Sequence, residues 1–471
     1  MSSISQLLTE KPLQANILKI AGEIGQDENI PVYVVGGYVR DALLNKNNKD
    51  IDIVVEGNAL FFAKKLAQLL NIQYTIDFDK FGTARIPHPE IEIEIATARS
   101  ESYSSESRKP YVKESTIEND MSRRDFTMNA IAASLHPDNF GELLDPYKGI
   151  KDLQKQLIIT PLDPDETLND DPLRMLRAIR FAAQLNFNIA SNVLDSISRK
   201  YKRMDIVSWE RITSEIIKIL STPKPSIGFY LLKETGLLSY VFPELDIMSG
   251  IEKINGKGHK DVFIHTLQVV DNAANLSKKM EVRFAALVHD IAKPNTKKYD
   301  PIKGWTFHGH EEIGRRMLKK VASRMKLSNH LRDYLMILTK LHLRPITLAM
   351  KGITDSAIRR VMAEAKDDID DLMILCRADI TTKNPIKVKK YMGNFEKVEK
   401  LMQDVKLRDE MRKFQSPING EEIMKIFDLK PGKIVGQFKN AIEEAILDGK
   451  IPNEYDASYD YMLKIKDDIL I

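Results

Sequence analysis

The chain has 471 residues, enough for about three or four domains at roughly 100–200 residues each. Hydrophobic residues make up 43% and charged residues 29%, with 22 Gly, 20 Pro and one cysteine, which excludes a disordered, collagen-like or low-complexity scaffold and any internal disulfide. The 70 Lys and Arg nearly balance the 67 Asp and Glu, so net charge argues neither for nor against a nucleic-acid partner, and no apolar run approaches the ~20 residues that cross a bilayer.

The first ~155 residues mix strand and helix signals. Ile30 to Val35 is a β-branched run that ends in Gly36-Gly37, and Tyr38 to Leu44 then opens a helix, so backbone N–H groups can face a phosphate without Cβ obstruction. Phe61 to Leu70 has helical spacing. Asp50 to Val55 alternates at period two, placing Asp50 and Asp52 on one face and Ile51, Ile53 and Val55 on the other. Two like charges side by side on a strand repel, and a cation between them resolves the conflict; oxygen ligands of this kind suit Mg²⁺. Glu90 to Ile95 alternates again, and Glu92 or Glu94 can supply a third carboxylate, with Glu94 the candidate. Ser122 to Ala132 reads as a helix whose Arg123 and Arg124 can meet a triphosphate or sugar, braced by Asp125 and Asn129 one turn apart.

After Asp163-Pro164-Asp165 the pattern turns helical, with amphipathic segments at Pro172 to Leu185, Ser208 to Leu220 and Ile227 to Leu238, and strand signals almost vanish from there on. Pro172 suits a first helical position, which makes Asp171 a capping candidate with one oxygen to spare. At about 100° per residue Asp171, Arg174 and Arg177 span about 120° of that helix, while Arg180 falls about 180° from Asp171. A carboxylate beside a guanidinium can present an acceptor and donors to a base edge, and the arginines can also hold phosphates. Gly250 to His259, with Gly256 and Gly258, reads as a linker.

Seven of the nine histidines then fall between His259 and His342. His265 lies on an apolar helix pattern, His289-Asp290 ends the run Phe284 to Val288, and Asp379 follows Cys376-Arg377-Ala378. Imidazole and carboxylate together suit a divalent transition metal that activates water against a phosphoester. Lys383 to Lys400 holds six lysines against Glu396 and Glu399 and reads as a solvated helix face, and Ser416-Pro417-Ile418-Asn419-Gly420 marks a last boundary.

Taken in order, Gly36-Gly37 with Arg40, Asp50-x-Asp52, Arg123-Arg124-Asp125 through Asn129, and Asp170-Asp171-x-x-Arg174 with Arg177 and Arg180 resemble the class II tRNA nucleotidyltransferase and bacterial poly(A) polymerase family. Trp209 to Glu215 resembles that family's neck, and Ile418-Asn419-Gly420 through Pro431 to Gly436 its tail, so nearly the whole chain is covered. One position departs: Asp170 stands where the family usually has Glu. His265, His289-Asp290 and Asp379 resemble the HD phosphohydrolase superfamily, with His310 and His342 completing a second metal position and His308 the less favoured neighbour.

The resemblance implies an α+β protein: a polymerase-β-like nucleotidyltransferase head over residues 1–155, then an all-helical neck (156–250), an HD domain (251–385) and a tail (386–471). It implies that Asp50 and Asp52 hold Mg²⁺ for nucleotide transfer to a 3′-hydroxyl, that Gly37, Arg40 and Arg124 contact the triphosphate and sugar, and that Asp171 and Arg174, with Arg177 and Arg180 nearby, read the base without a template. The expected activity is CCA addition to tRNA from CTP and ATP, with a phosphohydrolase activity on RNA ends allowed by the HD block. Addition of A alone is the first alternative, disfavoured by the Asp171/Arg174 pair and by the lack of a long basic extension after Ile471. A phosphohydrolase with an RNA-binding head is the second. Met1-Ser2-Ser3-Ile4 has no basic segment before an apolar run, and with the lone cysteine this makes the cytoplasm the expected compartment.

Overall fold

The computed structural model describes residues 3–79, 82–104, 107–254, 257–258, 261–349, 353–413 and 416–470. Gly256, His259 and Ile471 lie outside the described residues. The chain divides into two compact units, one of residues 1–343 with 367–385, the other of residues 344–366 with 386–471.

The first unit opens on a mixed sheet. Its strands are β1 (Val32–Val35), β2 (Asp50–Val55), β3 (Ile76–Phe78), β4 (Thr83–Pro87), β5 (Glu92–Thr97), β8 (Ala132–Ser134) and β9 (Leu143–Leu144), in the spatial order β3-β4-β5-β2-β1-β8-β9. A separate antiparallel pair, β6 (Arg99–Ser104) and β7 (Ser107–Glu114), intervenes in the chain. Within the large sheet only β2 and β5 run parallel, with Asp50 level with Glu92 and Asp52 level with Glu94. The alternation read from the sequence holds: Ile51, Ile53 and Val55 are buried, while Asp50 is exposed and Asp52 half-buried. The helices Pro12–Asp27 and Ala59–Leu69 lay their apolar faces, including Leu18, Ile24, Phe62 and Leu66, into the core.

The single helix expected over Ser122 to Ala132 is absent. A helix ends at Ser122, a 3₁₀ turn covers Thr127–Asn129, and β8 starts at Ala132. The break has a tertiary cause, because Thr127 N–H donates to Ile159 O at 2.8 Å and Ala132 to Ser134 are taken into the sheet.

Beyond Leu157 the unit is helical, as the patterning indicates. Leu173–Leu185 and Trp209–Leu220 form within a residue of the expected limits. The segment Ile227 to Leu238 is two helices, Pro225–Glu234 and Leu237–Val241, parted at Gly236, whose φ of +78° suits a left-handed turn. Strand signals do not vanish altogether: Lys253–Ile254 pairs with Lys257–Gly258 where a linker was expected, Lys298–Asp300 pairs with Gly304–Thr306, and Leu157–Ile158 runs parallel to Asn188–Ile189. These ladders span two or three residues, too few to show a period. The helices Val262–Leu276, Met280–Val288, His310–Arg324, Asn329–Leu341 and Ile369–Ala378 carry the histidine-rich block.

The second unit is helical. Asn419 caps the Gly420–Phe427 helix in a reciprocal capping box with Glu422, and Ile418, Ile423, Phe438, Ile442 and Met462 form its core. Of the lysines between Lys383 and Lys400, those on the long Pro385–Lys413 helix are exposed, as expected of a solvated face.

Candidate functional site

Two clusters of chemistry-bearing side chains lie in the first unit. The larger lines a cleft of about 720 Å³ whose walls include Gly36, Gly37, Arg40, Asp50, Asp52, Arg123, Arg124, Asp125, Asn129, Asp171, Arg174, Arg177 and Arg180. Every cleft residue expected from the sequence is there except Glu94, an exposed side chain on β5 beside Asp52.

Gly36 is demanded by geometry: its φ is +67°, and a Cβ there would stand 2.8 Å from Arg124 Nη1. Gly37, which starts the next helix, has ordinary room for a side chain. Most carboxylates in the cleft are spoken for. Asp41 pairs with Arg40 at 2.7 Å, Asp125 with Arg177 at 2.6 Å and Asp171 with Arg211 at 3.2 Å. Among the described residues, Asp50 and Asp52 take no ion pair. Burial pushes the Asp52 carboxyl up to about 6, with the Glu94 and Asp50 charges adding to it and Arg124 and Arg40 opposing. A divalent cation on Asp50 and Asp52 would relieve that conflict, and the two acids fit one.

The arginines are held by groups that sequence reasoning missed. Buried Asp120 takes Arg124 through two bonds of 3.0 and 3.2 Å and also binds Arg123. Its burial favours the neutral acid, but the Arg124 and Arg123 guanidiniums outweigh it and hold its pKa below the usual range. Glu215, also buried, pairs with Arg180 at 2.7 Å. Asn129 accepts from Arg40 at 2.8 Å and donates to Asp125 at 2.9 Å, so the expected bracing of these two residues is present without a helix between them. Asn48, Phe181, Gln184 and Arg211 also line the wall. Only their tertiary neighbours mark them, although Arg211 and Glu215 do lie in the stretch resembling a neck.

Asp171 and Arg174 are both engaged. Asp171 caps the arginine helix through Leu173 N–H at 3.2 Å, and its other oxygen, expected to be spare, accepts from Arg211 at 3.2 Å. Arg174 is buried and donates to Thr167 O and Arg123 O. Arg180 joins the others because Asp171, from which its angle is counted, lies before the helix in extended backbone, while Arg177 and Arg180 are one turn apart on it.

The second cluster gathers six of the expected residues. His265, His289 and Asp379 form one group, and Asp290, His310 and His342 another, with ligand atoms within 4.8 Å inside each. Asp290 belongs with His310 and His342 as much as with the first group: one oxygen lies 3.5 Å from His265 and 3.2 Å from His289, the other 3.3 Å from His310. The first of these oxygens also pairs with the Lys293 ammonium, so a cation on that side would share or displace it. Exposed His308 and His330 stay outside.

The Nδ1 atoms of His289, His310 and His342 lie 2.7–2.8 Å from the carbonyls of Ala286, Phe307 and Thr339, and a carbonyl only accepts, so each Nδ1 carries its proton. In the neutral, metal-binding form each Nε2 then points a lone pair inward. His310 and His342 oppose theirs at 3.3 Å, and among the described residues His289 Nε2 and Asp290 Oδ1 are buried without a well-aligned hydrogen-bond partner. Facing lone pairs and orphaned buried atoms are the signature of a site shaped for metal ions. Without one, burial disfavours charge on His289, yet Asp290 and Asp379 outweigh it and push its pKa up to about 10, while burial and the His289 charge push His342 down to about 4.

Residues 32–159 match the poly(A) polymerase head domain, 186–248 the RNA- and SrmB-binding site of polymerase A, 262–384 the HD domain, and 357–461 the tRNA nucleotidyltransferase domain 2. Among solved structures, a CCA-adding enzyme in complex with ATP is 25% identical over 100% of this chain and 99% of its own, with a TM-score of 0.59. A CCA-adding enzyme in complex with CTP is 25% identical over 98% of this chain and 97% of its own, at 0.58. The Thermotoga maritima CCA-adding enzyme complexed with tRNA is 25% identical over 98% of each chain, at 0.57.

Proposed function

We propose that this chain, which belongs to the poly(A) polymerase and tRNA nucleotidyltransferase family and is a nucleotidyltransferase, builds the 3′-CCA end of tRNA from CTP and ATP without a template strand. The observation that carries the reading is that Asp50 and Asp52, on one face of β2 and without an ion pair among the described residues, share a single cleft with the arginine helix Leu173–Leu185. Asp50 and Asp52 would hold Mg²⁺, which supplies an activated 3′-hydroxyl and neutralises charge on the transferred phosphoryl group. Arg40, Arg123 and Arg124 bind and orient the triphosphate, and the loss of pyrophosphate is favoured by the same guanidiniums.

Base selection falls to Asp171 and Arg174. Both spend their hydrogen bonds inside the protein in this structure, so reading a base means exchanging Thr167 O, Arg123 O and Arg211 for the Watson–Crick edge. That exchange costs little when the incoming base replaces every bond and much when it does not, which is how a protein surface discriminates. The three relatives, described with ATP, with CTP and with tRNA, favour mixed C and A addition over addition of A alone. The six-residue cluster supports a second, hydrolytic activity on phosphoesters at RNA ends, with a divalent transition metal on His265, His289, Asp290, His310, His342 and Asp379. The cytoplasmic setting expected from the sequence belongs to the same reading. Among the described residues no helix is long and apolar enough to cross a membrane.

The test offers a tRNA transcript lacking its last three nucleotides with CTP and ATP, separately and together, and weighs the product. Addition of C, C and A in that order is expected. An open-ended adenosine ladder with ATP alone would replace the reading with poly(A) synthesis.

A further inference from the structure

Phe181 sits on the cleft wall, nearly buried, with three guanidiniums around its ring. The Cζ atoms of Arg180, Arg40 and Arg177 lie 4.1, 5.1 and 5.5 Å from the ring centroid. Arg177 and Arg180 share its helix, whereas Arg40 comes from the helix that follows β1. Phe126 packs edge-on against the same ring, with centroids 5.9 Å apart, and fixes its plane.

Three like charges this close repel one another. Each has a carboxylate of its own, Asp41, Asp125 or Glu215, but those pairings tie each guanidinium to a different part of the wall. The mutual effect is felt at Arg180, whose pKa is lowered first by burial and further by the Arg177 and Arg40 charges, against the pull of Glu215. Among the described residues the ring lies against all three, while Asn129 links only Arg40 to the Asp125–Arg177 pair. An aliphatic side chain of similar volume would fill the same space, but only an aromatic one offers a negative face to a cation.

We propose that Phe181 is a positioning residue for the incoming nucleotide: its ring gathers Arg40, Arg177 and Arg180 into one cationic clamp aimed at the cleft, ready for a polyphosphate. The clamp is assembled before the ligand arrives, so binding need not overcome guanidinium repulsion and side-chain disorder at that moment. The role deepens the reading of the cleft as a nucleotide site and rests on it. It also explains why a phenyl ring, which can neither bind metal nor donate a hydrogen bond, stands in a wall otherwise made of charged and amide groups.

Phe181→Leu removes the π face and keeps most of the volume. Phe181→Tyr keeps the face. With wild type as reference, steady-state CTP and ATP incorporation and equilibrium dialysis of CTP with Mg²⁺ are measured at fixed salt. The Leu variant is expected to raise KM and Kd for both nucleotides about tenfold, equivalent to about 1.4 kcal/mol of lost pre-organisation, with kcat within about twofold; the Tyr variant should stay near wild type. Unchanged nucleotide affinity in the Leu variant overturns the proposal, as does a fall in kcat alone or a Tyr variant as impaired as Leu. Should Phe181→Leu melt early, Phe181→Met, longer and more adaptable, makes the same comparison. A wild-type protein that binds CTP in dialysis yet extends no tRNA would count against the proposed activity and leave the clamp comparison readable from Kd.

Discussion

Asp125 is the group through which the strand-rich part of the first unit grips the arginine helix, and its carboxylate charge makes a measurable prediction. One oxygen accepts from Phe126 N–H and Asn129 Nδ2, the other from Arg177 Nε at 2.7 Å and Nη2 at 2.6 Å. Burial alone would favour the neutral acid, but Arg177, Asn129 and Arg174 outweigh it and lower the Asp125 pKa from 3.8 to about 2. The folded pKa lies below the unfolded one, so the stabilisation is complete above pH 3.8 and is lost as pH falls through about 2. At about 1.4 kcal/mol per pH unit the gap is worth about 2 kcal/mol at neutral pH. Asp125→Asn keeps the shape and removes the charge. Urea unfolding followed by far-UV circular dichroism should show the variant less stable by about 2 kcal/mol at pH 7, with the difference falling to about half by pH 3. Equal midpoints at pH 7, or a difference that does not narrow on acidification, would refute the reasoning, since both follow from one pairing of Asp125 with Arg177.

The two clusters should be separable by mutation. Asp50→Ala with Asp52→Ala should abolish nucleotide incorporation while leaving metal-stimulated hydrolysis of a model phosphoester, and His289→Ala with Asp290→Ala should do the reverse; loss of both activities from either pair, with far-UV spectra unchanged, would argue against two independent sites. Gly36→Ala should cost about 1–2 kcal/mol of backbone strain at a φ of +67° and displace Arg124 Nη1, and it is checked by a raised KM for CTP and a lowered melting temperature. Arg283 donates to the carbonyls of Leu220, Thr222 and Ser277 at 3.0–3.2 Å, so Arg283→Met should strip three helix-end acceptors and destabilise the first unit by about 3 kcal/mol, read as an earlier urea transition.

Much of the site was legible because strand and helix periods are local. Period two puts Asp50 and Asp52 on one face whatever the rest of the chain does, and the turn of a helix puts Arg174 and Arg177 within one sector, whereas Asp171 joins them from the extended residue before that helix. For the second cluster, histidine density marked the region, and the resemblance to the HD superfamily named the six histidines and aspartates that the fold gathers. What failed was local reading where tertiary bonds intervened, as at Ser122 to Ala132, where the sheet claims Ala132 and a helix never forms.

The amino-acid order by itself therefore determined which chemical groups are available and which faces of their own elements they occupy. Folding alone decided which of them meet. Asp125 and Arg177, Asp171 and Arg211, or Asp290 with histidines from three different segments are joined across 20 to 52 residues, and no period reaches that far. The physical reason is that a buried charge must find a partner or a cation wherever packing leaves one, so the identity of the partner is a property of the packed core rather than of the neighbouring sequence.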